Sequence, residues 1–82
     1  MKRYWIFAWD TYYPSAGLGD VKGVTNDYTE ADNIWHQNIK EGKILYDYGC
    51  IVDMILFKIV FHNLDPSRLE GFNNDLNLLK ND

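Results

Sequence analysis

The 82-residue sequence contains one cysteine, two prolines and two histidines, and it has no excess of positive charge. Each shortage removes a class of protein. Cys50 has no mate for an internal disulfide and cannot by itself build a thiolate zinc site, a pattern that fits a reducing compartment better than a small secreted scaffold. Lys and Arg total 8 against 12 Asp and Glu, for a net charge of -4, and both signs are spread evenly over the two halves of the chain. Proteins that grip a phosphate backbone gain most of their affinity from clustered cations. This balance therefore argues against direct binding to a DNA or RNA backbone, and against an anionic membrane surface. The apolar stretch from Ile44 to Phe61 is broken by Asp47, Asp53 and Lys58, so it reads as no membrane span. The start Met1-Lys2-Arg3 is positive, but the apolar run after it stops at Asp10, which is not the shape of a signal peptide. The expectation is a cytoplasmic protein.

Aromatic residues are abundant, at three Trp, six Tyr and four Phe. A chain this short buries roughly 60 to 65% of the surface its unfolded form exposes, so some of these rings should face outward. With 46% hydrophobic and 24% charged residues the composition is that of a folded globular protein, and its length suits one domain spanning residues 1–82.

The segment Tyr4 to Trp9 alternates Trp5, Phe7 and Trp9 against Tyr4, Ile6 and Ala8, which predicts a strand apolar on both sides. A loop carrying Pro14, Gly17 and Gly19 separates it from a short second strand at Val21 to Thr25, and the two should form a hairpin. Overlapping capping boxes, Asp27-x-x-Glu30 and Thr29-x-x-Asp32, then precede an apolar stripe at Ala31, Ile34, Trp35 and Ile39, predicting an amphipathic helix that ends at Gly42. From Lys43 to His62 the chain reads as two strands with a reversal near Asp53 to Lys58, although Met54-Ile55-Leu56-Phe57 is poor turn chemistry. Asp65-Pro66 supplies an N-cap and a first-turn proline for a last helix over Pro66 to Lys80, with a seam at Leu69, Phe72, Leu76 and Leu79. The resulting class is α+β, ordered β-β-α-β-β-α, with a four-stranded antiparallel sheet and both helices on one face.

Catalytic candidates are few. His36 sits between Asp32 at i-4 and Lys40 at i+4 on a polar helix side, His62 ends a strand, and Cys50 lies in an apolar strand with no adjacent base or cation. The reading is of no catalytic set, no metal site and no cofactor, hence no enzyme. Two features stand out instead. Tyr12-Tyr13-Pro14 places two amphipathic rings in a polar loop, where they either suit a contact surface or pack back over the hairpin, and Ile55-Leu56-Phe57 places three apolar residues at a reversal, where they are exposed unless a helix, a loop or a second subunit covers them.

The residues Lys2-Arg-Tyr-Trp-Ile-Phe, Tyr12-Tyr-Pro-Ser-Ala-Gly-Leu-Gly-Asp20 and Thr29-Glu-Ala31 resemble a loose group of small proteins carried by bacteriophages and mobile elements of low-GC bacteria. The likeness covers roughly the first 35 residues. It implies a phage-type accessory protein acting in the cytoplasm of a bacterial host cell, where it inhibits a host system. The expectation is thus a non-enzymatic protein that docks on and blocks a defence or nucleic-acid-processing protein of the host, through Tyr12, Tyr13, Asp20, Ile55, Leu56 and Phe57. The alternative is a small-ligand binder that sequesters a nucleotide-type signal with Arg3, Tyr12, Tyr13, Gly17, Gly19 and Lys22. The apolar reversal and the seam of the last helix further predict a homodimer.

Overall fold

The computed structural model describes residues 2–10, 21–39 and 46–80. Its elements are β1 (Tyr4–Trp9), β2 (Val21–Thr25), α1 (Tyr28–Asn38), β3 (Tyr48–Asp53), β4 (Lys58–His62) and α2 (Pro66–Lys80), in the expected β-β-α-β-β-α order. The four strands form one antiparallel sheet in the order β2-β1-β3-β4. β1 therefore lies between β2 and β3, and the connection through α1 passes over it.

The alternation in β1 holds, and it decides the layering. Phe7 and Trp9 join Cys50, Val52, Met54, Leu64, Phe72 and Leu76 in one buried cluster, with Trp5 packed against it. Ile6 joins Ala31, Trp35 and Ile51 in a second, with Tyr4, Ile34, Ile39 and Phe61 at its margin. The first cluster takes its helical residues from α2 and the second from α1, so the helices cover opposite faces of the sheet. The expectation of both helices on one face is corrected for a simple reason: β1 and β3 are apolar on both sides, and a single helical layer would leave half of that surface in water. Phe72 is the main α2 contact, stacked parallel on Trp9 at 5.8 Å and edge-on to Phe7 at 5.1 Å.

Local signals account for the helix starts. The Asp27 side chain accepts the Thr29 N–H at 2.9 Å, and that of Asp65 accepts the Arg68 N–H at 2.9 Å. The ends are less regular. α1 stops at Asn38, not at Gly42: Ile39 is already extended, and its side chain lies over Gly49 of β3. A Cβ at Gly49 would sit 2.8 Å from the Phe7 carbonyl oxygen and 2.9 Å from Ile39 Cδ1, so this close approach requires glycine. In α2 the seam holds for Leu69, Phe72 and Leu76, but Leu79 is 41% exposed, because the last turn has run past the residues it could pack on. Both edge strands carry register irregularities: Lys22 has no partner opposite the Ile6/Phe7 step, and Val60 has none opposite the Ile51/Val52 step. Such bulges blunt the open edges of a sheet.

Candidate functional site

The reversal predicted near Asp53 to Lys58 is present as a turn over residues 54–57, and its poor turn chemistry has a specific remedy. Asp53, the last residue of β3, is only 2% exposed. One of its carboxylate oxygens, Oδ1, accepts the N–H groups of Ile55 at 3.0 Å and Leu56 at 3.2 Å, replacing the backbone pairing that Asn or Gly would ordinarily favour. The other, Oδ2, accepts from Arg3 Nε at 3.0 Å and from a terminal guanidinium nitrogen at 2.7 Å. The Arg3 guanidinium, helped by these two N–H groups, holds the Asp53 carboxyl below its ordinary range even though burial opposes this. The brace is completed by the Met54 N–H, which donates to the Arg3 carbonyl at 2.7 Å, and by Phe57, which adopts a left-handed φ of 52° and packs against the α2-side cluster. A left-handed conformation costs a non-glycine residue about 1 to 2 kcal/mol, so the turn is held by its surroundings and not by its own preference.

The outcome is an inverted turn. Its charged residue points inward, while Ile55 and Leu56 are 65% and 59% exposed. Of the three apolar residues expected at the reversal, Phe57 is thus a half-buried anchor, and only Ile55 and Leu56 are displayed. Around them lie cations that are far apart in sequence. The register joins Tyr4 to Asp53 and Asp53 to Lys58, so Lys2 and Arg3 share this end of the sheet with Lys58. No basic patch is visible along the sequence because the grouping arises only when β1, β3 and β4 pair. Lys2 is located by Trp5, whose indole N–H donates to its carbonyl at 3.0 Å.

Of the remaining expected residues, Arg3 and Lys22 are described, and they lie apart. Tyr12, Tyr13, Gly17, Gly19 and Asp20 lie outside the described residues. Arg3 and Lys22, expected to share a phosphate, are each held elsewhere: Arg3 on Asp53, and Lys22 with its ammonium 4.3 Å from the centre of the Tyr46 ring. Phe7 pairs with Val21 and Tyr4 with Thr25, so roughly 10 Å of strand separates the two cations.

Cys50 and His62 are register partners across β3 and β4, which no motif indicated. The thiol is fully buried, and that burial pushes its pKa up, away from a reactive thiolate. His62 uses Nδ1 to accept the Leu64 N–H at 2.9 Å. His36 lies 3.3 Å from Asp32 on the exposed side of α1, the interaction its i, i+4 spacing predicts. Among the described residues, no group of three His, Cys, Asp or Glu side chains is placed to hold a metal ion, and no helix is long and apolar enough to cross a membrane.

Asp53 is the residue of this candidate site that sequence reasoning missed. Its signal was an aspartate directly before an apolar turn, where a side-chain oxygen can take the N–H groups two and three residues on.

Residues 4–63, from the start of β1 past the end of β4, match the model of the family described as Bacteriophage T4 protein Y07C, and the chain belongs to this bacteriophage protein family. No curated protein and no solved structure gives a match.

Proposed function

We propose that the protein is a non-enzymatic phage accessory protein that docks on a bacterial host protein and blocks it, with the turn of Ile55 and Leu56 as its anchor. The observation that carries this reading is the braced, inverted turn. A buried carboxylate and a left-handed Phe57 are maintained to hold two aliphatic side chains in water. Rigid apolar anchors of this kind lose little conformational freedom on binding and act as interface hot spots. Membership of a phage family supports a host-directed role.

Affinity capture from bacterial lysate tests the reading. The wild-type protein should retain a specific host protein, and Leu56→Glu should release it. Retention of no protein by the wild type would count against docking on the host.

The nucleotide-binding alternative keeps its expected Tyr12, Tyr13, Gly17 and Gly19, but Arg3 is held on Asp53 and Lys22 on the Tyr46 ring, which weighs against a shared phosphate between them. Calorimetry against nucleotides and cyclic dinucleotides separates it from docking, because tight binding to any of them would favour the alternative.

A further inference from the structure

We infer that the surface this turn fits is an apolar pocket edged by carboxylates on another protein. The inference rests on the docking reading above and adds the chemistry of the partner. Ile55 and Leu56 stand clear of the sheet, and Lys2 and Lys58 flank them from the two neighbouring strand ends. Both lysines are exposed, and neither takes part in an ion pair among the described residues. Arg3 is close by, but its charge is already answered by Asp53 at 2.7 Å. The end of the sheet thus offers two aliphatic anchors and two uncompensated positive charges. Its complement is an apolar recess with acidic residues at the rim.

The same features weigh against the two other occupants. A second copy brought to this turn by a two-fold axis would set Lys2 and Lys58 against their own images, placing like charges together at the edge of a dry contact. An anionic bilayer would attract the two lysines, but lipid recognition of this kind takes a cluster of about four to eight cations, more than this end of the sheet shows among the described residues. The brace adds register to the charge pattern. Because Asp53 fixes the N–H groups of both Ile55 and Leu56, and Trp5 fixes the Lys2 carbonyl, the backbone that carries anchors and charges is held in register, while the lysine stems adjust to the rim of the pocket.

The test selects a random peptide library against the immobilised full chain, with counter-selection on Leu56→Glu. The result expected is a set of peptides with apolar residues between Asp and Glu. Their affinity should fall by about thirtyfold on Leu56→Ala, and should fall with rising salt. Lys2→Glu with Lys58→Glu should slow association and remove most of the salt dependence while leaving the melting temperature close to wild type. Peptides with no acidic bias, or peptides indifferent to Leu56→Ala, would overturn the inference. So would Leu56-dependent sedimentation with phosphatidylserine vesicles, or a wild-type dimer that Leu56→Glu dissociates, which assign the turn to lipid or to a second copy. A host protein captured equally by wild type and Leu56→Glu would overturn the pocket and leave host docking intact. Acidic peptides selected without any captured host protein would do the reverse.

Discussion

β4 is flanked by two short connections that follow opposite rules. After it, residues 63–65 obey the usual one: Leu64 is buried, and exposed Asn63 turns its polar atoms to structural use, accepting the Gly49 N–H at 2.8 Å and donating to the Asp47 carbonyl at 3.2 Å. Before it, residues 53–57 reverse the arrangement, with the carboxylate inside and two aliphatic side chains outside. Both connections use side chains to take up backbone N–H groups, so folding alone accounts for the first, and the second needs a further reason. Exposed apolar residues are common on proteins, but a buried charge and a left-handed phenylalanine are costs that a polar turn would have avoided. The difference is the reason for proposing that the turn is a surface kept for contact.

The largest expected effect sharpens this contrast from the ordinary side. Leu64→Ala removes a buried side chain from the α2-side cluster and should cost about 3 kcal/mol, measured by urea unfolding. Asp53→Ala comes next. It leaves the N–H groups of Ile55 and Leu56 without their acceptor and Arg3 without its partner, and should cost about 2 kcal/mol. An Asp53→Ala protein as stable as wild type would show that the turn holds without its brace, and the comparison between the connections would fail.

The two connections also differ in how far they could be read from the sequence. Asp65-Pro66 is a local signal, and α2 starts where it says. The same is true of Asp27 before α1 and of the alternation in β1, since each depends on residues within one turn or one strand. The position of the β3–β4 reversal was legible from strand length, but its mechanism was not, because the second partner of Asp53 is Arg3, 50 residues away. Lys2 and Lys58 come to the same end of the sheet for the same non-local reason. The layering was recoverable in principle: a first strand with Trp5, Phe7 and Trp9 on one side and Tyr4, Ile6 and Ala8 on the other already demanded two covers, and placing both helices together ignored that demand. Part of the candidate site, from Tyr12 to Asp20, lies outside the described residues and stays an expectation.

Acid titration probes the brace without removing an atom. The Asp53 carboxyl has a folded pKa depressed mainly by Arg3, so its contribution to stability is complete above the ordinary carboxylate range and is lost as pH falls below about 4 toward the folded value. Asp65 is depressed as well, by the Arg68 N–H first, and it loses its contribution in the same direction. The two are separated by comparing wild type with Asp53→Asn. The stability gap between them should be widest near neutrality and should close as acid protonates Asp53, while the Asp65 contribution falls equally in both proteins. A gap that stayed constant down to low pH would show that the Arg3–Asp53 charge pairing is not what holds the turn.

The smallest expected effect concerns Leu56 itself. Leucine to alanine at a packed site costs about 2 to 5 kcal/mol, but at a position with 59% of its surface in water the same change should move the unfolding free energy by less than about 0.5 kcal/mol. Dilute protein is required, so that any self-association does not add to the measured stability. If Leu56→Ala costs as much as Leu64→Ala under those conditions, Leu56 is packed within the monomer and the turn is not an anchor. If its cost is negligible when dilute and grows with protein concentration, a second copy occupies the turn. A negligible cost at every concentration leaves Leu56 available to a different protein, the condition that docking through this turn requires.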